Sequence, residues 1–77
     1  MQFQAEYTDT FGGEANYSWV KRVEFEAPDT ASDALLMRRA KKALGLEGVR
    51  GKRETHGESL VLYPYHSCTV VFVSPEY

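Results

Sequence analysis

Thr30-Ala31-Ser32-Asp33-Ala34-Leu35-Leu36-Met37-Arg38-Arg39-Ala40-Lys41-Lys42-Ala43-Leu44-Gly45 is the one stretch of this 77-residue chain that reads as a helix. At 100° per residue, Leu36, Met37, Ala40, Ala43 and Leu44 gather into one apolar stripe. Arg38, Arg39 and Lys42 gather on the opposite face around Leu35. Asp29 or Thr30 serves as the predicted N-cap, and Thr30-x-x-Asp33 resembles a capping box with a short acid. Gly45 suits the left-handed position after the last turn, with Leu46 folding back behind it. The predicted helix therefore runs from about residue 30 to residue 44, and its apolar stripe needs a sheet to cover.

Strand patterns lie on both sides of it. In residues 2–10, Phe3, Ala5 and Tyr7 alternate with polar neighbours, the period-two signature of a half-buried strand. Gly12-Gly13 interrupts this pattern, and residues 15–26 resume it with Tyr17, Trp19, Val23 and Phe25 on one side, Trp19 being read as core. Lys21 falls on that same side, which marks a bulge or a sheet edge. After the helix, residues 49–56 form a weaker polar strand, Gly57-Glu58 a turn, Ser59 to Tyr63 a strand closed by Pro64, and Cys68 to Val73 the last strand. The unbroken Val70-Val71-Phe72-Val73 predicts burial on both faces. The expected fold is α+β: a single domain over residues 1–77, in the order ββαβββ, with a mainly antiparallel sheet and one amphipathic helix on one face.

Composition sets outer bounds. The hydrophobic fraction of 43% is ample for a core, and no apolar run approaches the roughly 20 residues of a membrane span. The N-terminal residues show neither the basic nor the apolar region of a signal peptide. A single cysteine, Cys68, excludes an internal disulfide and reads as a buried thiol in a strand, in a reducing compartment. The net charge of −2 is unevenly divided: residues 38–53 hold seven cations against one anion, while the remainder holds two cations and ten anions. Such a bipolar domain steers partners by charge.

Enzyme motifs are absent. Gly12-Gly13 sits in a hairpin turn and Gly45, Gly48 and Gly51 follow the helix, so none forms a phosphate loop ahead of a helix. Glu24 and Glu26 alternate on one strand face as a solvated edge. His56, His66 and Cys68 are too few for the four ligands of a structural zinc site. The expectation is a non-enzymatic chain with no cofactor and no metal. Its strongest functional signal is the set Arg38, Arg39, Lys42, Arg50, Lys52 and Arg53, with Leu35 as an apolar anchor. These side chains suit phosphates or an acidic protein surface. They also suit ordinary solvated positions, the strand cations pairing with Glu54 or Glu58. Aromatic residues are missing from residues 38–53, which weakens a single-strand stacking platform. The reverse assignment uses Glu6, Asp9, Glu14, Glu24, Glu26, Asp29 and Asp33 against a basic site, or as a solvated acidic hairpin. Tyr63, Tyr65 and Tyr77 read as rim residues of the core.

The hairpin Tyr7-Thr8-Asp9-Thr10-Phe11-Gly12-Gly13-Glu14-Ala15-Asn16-Tyr17-Ser18-Trp19-Val20-Lys21-Arg22 resembles a pattern in short proteins encoded by bacteriophages and prophages. The resemblance extends past Leu44-Gly45 to Cys68-Thr69-Val70. It implies a cytoplasmic role in a bacterial host, where small phage proteins occupy host proteins or ribonucleoprotein complexes, anti-CRISPR inhibitors among them. The expected function is such an inhibitor, acting as a monomer or weak homodimer with no membrane. The alternative is a small nucleic-acid-binding accessory protein using the basic residues between 38 and 53.

Overall fold

The computed structural model describes residues 1–76; Tyr77 lies outside them. Five strands and one helix follow in order: β1 (Gln2–Phe11), β2 (Glu14–Glu26), α1 (Asp33–Leu44), β3 (Gly51–His56), β4 (Ser59–Pro64) and β5 (Thr69–Pro75). This is the expected α+β arrangement. The strands form one antiparallel sheet in the order β2-β1-β5-β4-β3. Two hairpins, β1–β2 and β3–β4, thus flank β5, and α1 carries the chain from one sheet edge to the other.

The helix starts later than the sequence suggests. Pro28 opens a turn closed by Ala31 N–H donating to its carbonyl at 3.0 Å, which occupies Thr30. Ser32 is the N-cap instead, its Oγ accepting from Leu35 N–H at 3.2 Å. The far end follows the expected pattern. Gly45 adopts φ 76°, its N–H donates to Lys42 O at 3.2 Å, and Leu46 N–H donates to Lys41 O at 2.7 Å.

Met37, Ala40 and Leu44 are buried against the sheet, with Leu36 partly buried beside them. Ala43, expected in the same stripe, is exposed. Their counterparts are Ala5, Val71, Val73, Leu60 and Leu62, which share one face because Ala5 pairs with Val73 and Leu62 with Val71. Val70 alternates to the other face and is also buried, at 1% exposure. The two-sided burial read from the valine run therefore holds for β5, which lies between β1 and β4.

Lys21 sits where the sequence flagged an edge or a bulge, and both are present. β2 is an edge strand, and its pairing with β1 slips between Thr8 and Thr10, leaving Asn16–Trp19 opposite Asp9. Lys21 Nζ donates to the Leu44 carbonyl at 3.1 Å, a cation on the negative end of α1. Within the bulge Tyr17 takes φ 55°. Asp9 holds the excursion together: its carboxylate accepts from Ser18 Oγ at 2.6 Å, Asn16 Nδ2 at 3.0 Å and Ser18 N–H at 3.0 Å. Those bonds, led by Ser18, hold the Asp9 carboxyl at about 2, below its ordinary 3.8. Trp19, expected in the core, is 44% exposed because the bulge lifts it to the edge, where it meets Tyr7 edge-on at 5.0 Å. Cys68 is exposed as well. The last strand begins at Thr69, so the thiol belongs to the preceding turn.

Candidate basic groove

Arg38 and Lys41 leave α1 on the side facing β3, three residues apart and so on one helix flank. Arg50 and Arg53 approach from the opposite wall, Arg53 at a position paired with Leu62. Together these four cations border an open groove of about 490 Å³ with Met37 and Leu62 in its lining. Among the described residues no carboxylate lines it. Among the described residues no ion pair engages Arg38, Arg50 or Arg53. Lys41 is half-buried and donates through Nζ to the Val49 carbonyl at 3.0 Å, which ties the loop after α1 to the helix.

Gly51 makes the wall possible. A Cβ built there would lie 2.6 Å from the Tyr63 carbonyl carbon and 2.7 Å from Pro64 Cα, closer than any real side chain sits. Only glycine lets β3 start this close to β4. The ladder continues one step beyond the strand, with Tyr65 N–H donating to Arg50 O at 3.0 Å. That bond brings Tyr65 to the groove, where its side chain joins the lining.

The six cations of the sequence pattern therefore do not form one patch. Arg38, Arg50 and Arg53 share the groove. Arg39 and Lys42 turn toward β2 beside Phe25, and Arg39 donates to the Glu26 carbonyl at 2.9 Å. Lys52 alternates to the sheet face away from α1, where its Nζ lies 3.3 Å from Glu54. The Glu54 carboxyl is lowered by bonds from His56 and then Lys52. Leu35 is half-buried and does not line the groove. Lys41 and Tyr65 were missed. Lys41 stands outside the predicted set, and Tyr65 reads from the sequence only as a rim residue; both line the groove.

The acidic set is also divided. Glu6 accepts from Tyr17 Oη at 2.6 Å and from Arg22 Nε at 2.7 Å. Burial opposes its ionisation, but those bonds outweigh it and hold the carboxyl below the usual range. Glu6 and Asp9 are thus committed inside the first hairpin. Asp29 and Asp33 lie at the N-terminal end of α1, bordering a separate cavity of about 330 Å³. The first hairpin also exposes single large apolar side chains, Phe11 at 79%, Tyr17 at 49%, Trp19 at 44% and Val20 at 38%.

Among the described residues no group of three His, Cys, Asp or Glu side chains is placed to hold a metal ion, and no helix is long and apolar enough to cross a membrane. No family model, curated protein or solved structure matches the chain.

Proposed function

We propose that this protein is a non-catalytic binding module that docks an anionic element of a larger host complex into the groove between α1 and β3. The observation carrying this reading is the convergence of Arg38, Lys41, Arg50 and Arg53 on a groove lined by no carboxylate among the described residues, in a chain whose net charge is −2. Guanidinium groups without internal partners match carboxylates and phosphates through paired N–H donors. An acidic remainder keeps the domain from binding anions everywhere and so supports a localised site.

The phage-like pattern of the first hairpin supports the setting. In it the partner is a host protein or ribonucleoprotein, a CRISPR–Cas surveillance complex being one such target, and occupancy inhibits that partner in the bacterial cytoplasm. The test is affinity capture from a bacterial lysate with the wild type and with a variant carrying Arg38→Glu, Arg50→Glu and Arg53→Glu. A partner recovered in stoichiometric amount by the wild type and lost with the variant supports the reading. Equal recovery by both proteins, with the variant folded by circular dichroism, refutes the groove as the docking site.

A further inference from the structure

The geometry points to single-stranded nucleic acid as the element that enters the groove, with a base stacked on Tyr65; this inference rests on the groove being the docking site. Two troughs meet at Val49, Arg50 and Tyr65. One is the basic groove, and the other, of about 440 Å³, continues past Pro64 to His66 and Ser67. Tyr65 stands where they join and is 66% exposed. Among the described residues its ring stacks on no other aromatic ring. The main-chain bond from Tyr65 N–H to Arg50 O fixes the ring's origin beside a guanidinium-bearing residue.

That pairing of features selects the ligand. Carboxylates of an acidic protein and phosphates of a nucleic acid would satisfy Arg38, Arg50 and Arg53 equally well. A carboxylate could take only the hydroxyl of Tyr65, as Glu6 takes that of Tyr17, and would leave the large ring face in water unused. For an unpaired base it supplies a stacking face, the arrangement by which single strands are held without sequence preference. The residues between 38 and 53 contain no aromatic side chain, and the fold brings one in from the turn between β4 and β5. Phosphates then lie along Arg38, Arg53 and Arg50, the base sits on Tyr65, and the strand leaves along the trough beside His66. A duplex, whose bases are already stacked on one another, cannot use the ring.

The test measures anisotropy of fluorescein-labelled oligo(dT), of its annealed duplex and of a labelled poly-glutamate peptide at low salt. The single strand is expected to bind more tightly than either competitor. Tyr65→Ala should weaken it by about 5- to 150-fold, the range for losing one stacked base, while Tyr65→Phe retains it. Because the side chain is mostly outside the core, both variants should keep the wild-type melting temperature. Binding of oligo(dT) that is unchanged by Tyr65→Ala overturns the inference. Poly-glutamate binding without oligo(dT) binding, abolished by reversal of the three arginines, also overturns it while leaving the anion-binding groove intact. Binding of neither probe overturns the inference and the groove reading together.

Discussion

Reversing single cations separates the groove from the rest of the basic surface, and the expected size of the effect follows from the partner count. Arg38, Arg50 and Arg53 line the groove with no ion pair among the described residues; Lys41 already donates to Val49. Three free cations contacting three phosphates of a single strand release counterions with a log–log salt slope of about 0.7 per contact, so the wild-type slope should be near 2. Between about 50 and 200 mM salt that slope corresponds to a roughly 20-fold loss of affinity for oligo(dT). Arg53→Glu removes one contact, lowers the slope to about 1.4 or below and weakens binding at every salt concentration. Arg39→Glu and Lys52→Glu change the same net charge but sit outside the groove, one beside Phe25 and the other next to Glu54 on the far face. Their slopes should match the wild type. Anisotropy titrations at four or more salt concentrations provide the assay. If Lys52→Glu lowers the slope as much as Arg53→Glu, the cations act as one diffuse patch and the division drawn from strand alternation is wrong.

Four further outcomes follow from the fold. Ser32→Ala should destabilise the protein by about 1 kcal/mol in urea unfolding while Thr30→Ala stays near zero; the opposite ranking would restore the earlier helix start. Gly51→Ala should cost about 1–3 kcal/mol by overpacking against β4, seen as a lower Tm, and an unchanged Tm would show that the β3–β4 approach is looser than described. The Asp9 carboxylate, held at about 2, contributes stability that is complete above its unfolded value of 3.8 and is lost as pH falls through about 2. Trp19 fluorescence should therefore report loosening of the bulge in that window, and Asp9→Asn should abolish the transition. Cys68, being exposed, should react with a thiol reagent in the native protein as fast as in urea; strong native protection would place it in the core after all.

Much of the architecture can be read from period and punctuation alone. The alternation in residues 2–10, the break at Gly12-Gly13 and the amphipathic stretch ending at Gly45 each name an element, because each is a local property of the chain. What escaped reading is what depends on pairing. Trp19 looks like core until Asp9 gathers Asn16 and Ser18 into a bulge, and nothing local says that an aspartate on the facing strand, seven and nine residues earlier, will do so. Cys68 looks buried because it abuts a valine-rich strand, yet the turn from β4 ends only at Thr69. The groove is half visible in the sequence: Arg38, Arg50 and Arg53 belong to the basic pattern of residues 38–53. Lys52 could not be separated from Arg53 without knowing which face each took, and Tyr65 could not be joined to Arg50 without the β3–β4 register.

The position of β5 has a consequence for how the chain reaches this state. Ala5 meets Val73 and Tyr7 meets Val71, so the second neighbour of the first strand is made only after β2, α1, β3 and β4. Until then the polypeptide holds two separate hairpins, and two-stranded ribbons are marginal alone. Closing so long a loop is entropically slow. Folding during synthesis should therefore stall until the valines of β5 leave the ribosome and then complete in a single cooperative step. A chain shortened before Val70 would lose more than an edge: it would lose the strand that joins its two halves.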